Sequence, residues 1–270
     1  MVYQALEDEV IIDGTVMPYV VFGSGSTPLI LLPGLSDGIK SVRGQATVLA
    51  LTYRKLAKRY KVYVFSRKDE IEENYSIKDM ALDQKIAIDK LGIKKCFMMG
   101  ISQGGMIAQQ FTINFPDVVE RLILTVSTSQ AEALLKRVTN NWISFAQNND
   151  YAALIIDTME QSYTPKKLKK IRLMYPVISR VGKPKDLTRF LIQAQACLKH
   201  DVYDELHKIQ CPTLLIGGKK DKIAGVEATL KMAQEIKNSH LLIYPNSGHA
   251  AYEEEKDFVK DVMKFLQKDI

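Results

Sequence analysis

The chain has 270 residues, 46% of them hydrophobic and 25% charged, with 37 Lys/Arg against 31 Asp/Glu and a formal charge of +6. That apolar share is ordinary for a globular protein and too high for a disordered one. The length suits one large domain or one domain carrying an insertion, and six excess charges over this length do not mark a nucleic-acid binder.

The first thirty residues read as strands. Asp13-Gly14, between Val10-Ile11-Ile12 and Val16 to Phe22, is a strong hairpin signal. Leu29-Ile30-Leu31-Leu32 is a short apolar run closed by Pro33-Gly34, as expected of a strand buried on both faces. Helical spacing follows over Gln45 to Tyr60, then a strand at Val62 to Phe65. A helix is expected over Ser76 to Leu91, stopped by Gly92, then a strand at Cys96 to Met99. Gln103 to Phe115 reads as a helix ended by Pro116, and Leu122 to Val126 as a strand. Such alternation implies a parallel sheet with helices on both faces.

The rhythm breaks after about Gln130. Ala131 to Gln147, Tyr151 to Tyr163, Pro165 to Ile178 and Lys185 to Lys199 all have helical spacing, with Thr164-Pro165 as an N-cap and first-turn pair. Strands resume with Pro212 to Gly217 and Leu241 to Tyr244, separated by a helix near Val226 to Ile236. A last helix is expected from about Tyr252 to Lys268. The expected organisation is a core made of residues 1–129 and 211–270, interrupted by a helical insertion over 130–210.

Three cysteines, Cys96, Cys197 and Cys211, show no CxxC spacing. They are expected as buried reduced thiols, as in a cytoplasmic protein, and not as a disulfide scaffold or zinc site. The acidic start Met1 to Glu9 lacks the basic and apolar regions of a signal peptide, and no run is long enough to span a bilayer.

Gly100-Ile101-Ser102-Gln103-Gly104-Gly105 matches G-x-S-x-G between an expected strand and an expected helix. A sharp strand-to-helix turn needs small flanking residues, and its serine sits where free backbone N–H groups favour negative charge. A serine nucleophile needs a base. Of the four histidines, His249 alone follows the end of a strand on the same sheet edge as Ser102. His240 belongs at the opposite edge, and His200 and His207 are expected to face solvent. Asp221, four residues beyond Gly217, falls at that same edge and is the expected orienting carboxylate. The other common place for it, Ser127-Thr128-Ser129-Gln130, holds none. The order Ser102, Asp221, His249 is the one expected of the nucleophile-elbow hydrolases. Backbone N–H groups of Gln103 and Leu35 are the expected oxyanion donors.

These motifs together resemble the α/β-hydrolase superfamily, in its lid-bearing branch of serine esterases, lactonases and carbon–carbon bond hydrolases. The resemblance rests on Leu31-Leu32-Pro33-Gly34, the Gly100 to Gly105 elbow, Pro212 to Gly217 with Asp221, and Ser247-Gly248-His249. It implies an eight-stranded, mostly parallel sheet with a helical cap inserted after the sixth strand. Two departures stand out: Pro33-Gly34 replaces the usual His-Gly, and Ser66 to Tyr75 replaces the usual Asp-x-Arg-Gly-x-Gly-x-Ser loop.

The leading expectation is a serine hydrolase acting on a small ester, thioester or lactone, with no cofactor and no metal. Carbon–carbon bond cleavage or perhydrolysis by the same triad is the alternative, and a non-catalytic receptor on a hydrolase fold is the third. A serine at the elbow disfavours the dehalogenases and epoxide hydrolases that resemble this fold, which use aspartate there. The expected partner is a small-molecule substrate, with a homodimer left open.

Residues 131–210 carry 13 Lys/Arg against 8 Asp/Glu, so almost all of the net charge lies in the insertion. Its basic run Lys166 to Arg172 reads as an amphipathic helix with Leu168, Ile171 and Tyr175 inward. The simple expectation is a solvated outer face; attraction to an anionic membrane or an acidic partner is the sharper one.

Overall fold

A computed structural model describes residues 2–267. Eight strands form one sheet: β1 (Leu6–Ile12), β2 (Thr15–Phe22), β3 (Thr27–Leu32), β4 (Tyr60–Phe65), β5 (Cys96–Ile101), β6 (Val119–Thr125), β7 (Thr213–Gly218) and β8 (Ser239–Tyr244). Their spatial order is β1-β2-β4-β3-β5-β6-β7-β8. β2 pairs antiparallel with β1 and β4, and every other pair is parallel.

Asp13 and Gly14 both take positive φ, which a two-residue hairpin turn requires. β1 starts at Leu6, earlier than the alternation from Val10 suggests. Leu6 to Glu9 are all exposed on the sheet's edge, so no buried face imposes a period of two there. The acidic side chains at this edge also discourage pairing with another chain. β3, β5, β6 and β7 are buried almost throughout, because helices cover both faces.

One face of the sheet packs under α3 (Ile77–Lys90), α4 (Gln103–Asn114) and α10 (Val226–Glu235), the other under α1 (Ala46–Thr52), α2 (Arg54–Ala57) and α12 (Phe258–Leu266). Ser76 caps α3 by a reciprocal box: its hydroxyl accepts from the Asp79 N–H and its own N–H donates to the Asp79 carboxylate. The helix expected over Gln45 to Tyr60 is broken at Tyr53, where the chain turns so that Leu56 and Ala57 bury against the sheet; Tyr60 already belongs to β4. The last helix is likewise split, into α11 (Ala251–Glu254) and α12, because Glu255 is held by the Ser247 hydroxyl. Its expected end at Lys268 lies outside the described residues.

Between β6 and β7 the chain is helical: α5 (Ala133–Gln147), α6 (Tyr151–Ser162), α7 (Pro165–Ile171), α8 (Tyr175–Ile178) and α9 (Thr188–Lys199). The helix expected over Pro165 to Ile178 is interrupted by a 3-10 turn at Arg172–Met174. Pro176 has no N–H to give to the Arg172 carbonyl, so an unbroken helix there would lose a bond. A bridge between Gln130 and Asp201 joins the two ends of this segment. His200, expected at the surface, is instead 4% exposed beside that bridge. Cys96 and Cys197 are buried free thiols as expected, whereas Cys211 is only half-buried. No helix among the described residues is long and apolar enough to cross a membrane.

Candidate active site

The parallel topology brings the C-terminal ends of β3, β5, β7 and β8 to one edge, and the residues singled out by sequence lie on the loops that leave them. Ser102 links β5 to α4 with φ 53° and ψ −118°, a conformation costly for any residue but glycine. The turn is forced by packing. A Cβ on Gly104 would stand 2.0 Å from the Leu32 carbonyl oxygen, so only glycine lets α4 start this close to β3. The Ser102 N–H donates to the Thr125 carbonyl at 2.9 Å, and the Ser127 hydroxyl donates to the Ser102 carbonyl at 2.8 Å. Val126, between those two supports, is itself at φ 45°, a genuine outlier for a β-branched residue.

Three side chains form one line. The Ser102 hydroxyl lies 2.9 Å from His249 Nε2. His249 Nδ1 lies 2.9 Å from Asp221 Oδ2 and 3.1 Å from Oδ1. The ring sits between an anion and a hydroxyl, so the favoured tautomer carries hydrogen on Nδ1 and leaves Nε2 to accept from Ser102. Asp221 Oδ1 also accepts from the Ile223 and Ala224 N–H groups at 2.8 and 3.0 Å. Burial alone would push this carboxyl up; the His249 ring and the two amides outweigh it and hold the group below the usual carboxylate range. Asp221 and His249 are buried while Ser102 is partly exposed, so the reactive end of the line is the accessible one.

The loops are fastened to each other. The Lys220 N–H donates to the Ser247 carbonyl at 2.9 Å, joining the Asp221 loop to the His249 loop. The Gly248 N–H donates to the Glu254 carboxylate at 2.8 Å. Gly34 of the loop after β3 packs on Ser102: a Cβ there would stand 3.3 Å from Ser102 Cβ. Leu35 and Gln103 each begin a helical turn after Gly34 and Ser102, where the first amides have no carbonyl one turn earlier to bond.

A buried charged cluster beneath this edge was not legible in the sequence. Arg67, 1% exposed, follows β4; its Nη2 donates to the Pro33 carbonyl at 2.7 Å and to Gln103 Oε1 at 2.8 Å. One guanidinium thus grips both the loop after β3 and the first residue of α4. Burial lowers its pKa and the Asp37 carboxylate opposes that. Arg189 of α9 reaches the same Asp37 at 2.7 Å and donates to the Arg67 carbonyl at 2.9 Å. The Gln103 amide donates to the Gln193 carbonyl of α9 at 2.9 Å. The helical segment is pinned a second time at the α6–α7 joint: the Ala250 N–H donates to the Ser162 carbonyl at 2.9 Å, and Thr164 donates twice to Glu254. A cavity of about 540 Å³ adjoins the site. Its walls include Gly34 and Ile101, the neighbours of Ser102, with Lys40, Tyr53, Lys167 and Tyr252, but neither Ser102 nor His249. Of the His/Cys/Asp/Glu side chains among the described residues, no three gather as a metal site would require.

Sheet order, elbow and Ser–His–Asp line together define a class, the hydrolases of the α/β fold. The family model for the alpha/beta hydrolase fold matches residues 27–256, and the chain belongs to that family. It is 25% identical over 262 residues to 2-hydroxy-6-oxononadienedioate/2-hydroxy-6-oxononatrienedioate hydrolase 2 of Pseudomonas putida, covering 92% of this chain and 91% of that protein. It is 24% identical over 279 residues to epoxide hydrolase 1 of Caenorhabditis elegans, covering 93% and 67%. In structure it resembles an enol-lactonase from Burkholderia xenovorans LB400, with a TM-score of 0.81, 20% identity and coverage of 97% and 100%. An alpha/beta hydrolase from a Medee basin deep-sea metagenome library superimposes with a TM-score of 0.84 at 22% identity, covering 97% and 98%.

Proposed function

We propose that the protein is a serine hydrolase that cleaves a small carboxylic ester, thioester or lactone through an acyl-enzyme on Ser102. One observation carries the reading: the unbroken line from the partly exposed Ser102 hydroxyl through His249 to Asp221. Ser102 Oγ attacks the substrate carbonyl as His249 Nε2 takes its proton. Asp221 holds the Nδ1–H tautomer and stabilises the imidazolium that forms. The tetrahedral oxyanion rests on the Leu35 and Gln103 N–H groups, each worth about 3 kcal/mol to the transition state. His249 returns the proton to the leaving alcohol or thiol. Water then attacks the ester of Ser102 by the same route and releases the acid. Residues 130–210 act as a cap, since their two anchor points lie on the Asp37–Arg67 cluster and on the His249 loop. No cofactor or metal takes part.

Ser102→Ala should abolish turnover of p-nitrophenyl esters and block labelling by a fluorophosphonate probe. Full activity in that variant would overturn the assignment. A second reading keeps the same three residues and changes the bond. The Pseudomonas putida relative, named for hydrolysis of a 2-hydroxy-6-oxo dienedioate, favours testing vinylogous diketone cleavage beside ester cleavage. Faster turnover of the diketone would replace the first reading with the second.

A further inference from the structure

The segment from Pro165 to Lys185 contains eight Lys/Arg and no Asp/Glu. It has two apolar faces where packing onto the fold requires one. The inner face is Leu168, 1% exposed, with the half-buried Ile171, Tyr175 and Ile178. The outer face is Leu173, Val177 and Val181, spaced by four residues, with Met174 beside them. These four are 82%, 57%, 65% and 57% exposed for Leu173, Val177, Val181 and Met174. Arg172 and the Tyr175 hydroxyl are both held by Glu160 of α6, which fixes which face points inward. Among the described residues, no ion pair engages the other seven cations: Lys166, Lys167, Lys169, Lys170, Arg180, Lys183 and Lys185.

We propose that this outer face docks on the anionic surface of a phospholipid membrane. The charge pattern selects the occupant. Four apolar tips on a projecting turn, ringed by unpaired cations, match a leaflet whose headgroups are negative and whose interior accepts the tips a few ångström deep. An outward-pointing row of single side chains offers no groove for a folded partner, and a second copy of the same face would set seven cations against seven. Lys167 belongs both to this basic ring and to the wall of the cavity next to Ser102, so the basic ring reaches as far as that cavity. The surface is separate from the Ser102 line, and soluble substrates do not need it.

The test is flotation of the intact protein with vesicles of phosphatidylcholine, with and without phosphatidylglycerol, beside turnover of a soluble p-nitrophenyl ester. Binding is expected only with the anionic lipid and should weaken as salt rises. The triple variant Lys166→Gln/Lys169→Gln/Lys170→Gln should lose on the order of a hundredfold in partitioning, about fivefold for each lysine near such a surface. Leu173→Ser/Val177→Ser should also release the protein, and ester turnover should be unchanged in both. Absence of binding by the unaltered protein at low salt overturns the proposal. So does equal binding to neutral vesicles, or binding that survives both variants. Self-association abolished by Leu173→Ser/Val177→Ser, without vesicle binding, would replace the membrane with a second copy of the chain.

Discussion

Replacing Arg67 by methionine tests whether one buried guanidinium holds the two proposed oxyanion donors in place. Methionine keeps the bulk and removes the charge. The half-buried Pro33 carbonyl and the buried Gln103 Oε1 would each lose a charged donor. A buried acceptor left without a partner costs about 1–3 kcal/mol, and the half-buried one adds little. Asp37 is not stranded, because Arg189 Nη2 and the residue-67 N–H still reach its carboxylate. Burying the apolar side chain returns roughly 1–3 kcal/mol. The net loss of stability should be at most about 2 kcal/mol, read as a lower urea midpoint at unchanged slope. The effect on turnover is separate. With Pro33 released, the Gly34-Leu35 amides drift relative to Ser102, and a displacement near 1 Å can cost about a hundredfold in rate. Ester kcat should therefore fall roughly ten- to a hundredfold with KM changing less, since the donors act on the transition state. Arg67→Lys should rescue only in part: both bonds leave the one nitrogen Nη2, which an ammonium can imitate, but the lysine stem is one atom shorter. A variant that loses stability yet keeps kcat within about twofold would refute the positioning argument and leave Arg67 a structural residue.

Asp221→Asn should keep the fold and lower kcat by about three to four orders of magnitude, because an amide does not impose the Nδ1–H tautomer on His249; near-native turnover would remove Asp221 from the mechanism. Ser127→Ala removes the 2.8 Å bond to the Ser102 carbonyl and should cost about 1 kcal/mol of stability with a several-fold drop in kcat, measured by urea melts and ester assay. Burial holds His200 neutral, its pKa lowered to about 4. As pH falls below about 6.5, the unfolded chain takes up a proton that the folded chain refuses until about pH 4. Folding should therefore weaken through that window by up to about 3 kcal/mol on this account. Urea midpoints of His200→Gln should decline less steeply than those of the unaltered protein between pH 7 and pH 4.5, and an equal decline would show that His200 is not the source.

Steric necessity makes some of the site local in sequence and leaves the rest dispersed. The elbow is legible because the close approach of α4 to β3 excludes a Cβ at Gly104, so the glycines appear within three residues of Ser102. Asp221 and His249 are legible because strand ends are, and a parallel sheet sends all its strand ends to one edge. The helix breaks at Tyr53 and Glu255 escape a periodicity reading because each side of the break keeps an apolar stripe. Arg67 escapes it for a stronger reason. Its partners stand 34, 36 and 122 residues away, and a lone arginine after an apolar strand looks like the solvent-facing start of a loop. Val126 carries no signal either, since nothing in a valine announces positive φ. Both hidden residues serve the same end. Arg67 grips the loop after β3 and Gln103 from below, and the turn at Val126 delivers Ser127 to the Ser102 carbonyl. The residues expected to touch substrate are written in local motifs, whereas those that hold them still are written in tertiary contacts. Arg189 extends the second group into α9, so any outward movement of that helix would loosen Asp37, and through Arg67 the Pro33 carbonyl and the proposed oxyanion donors beside it.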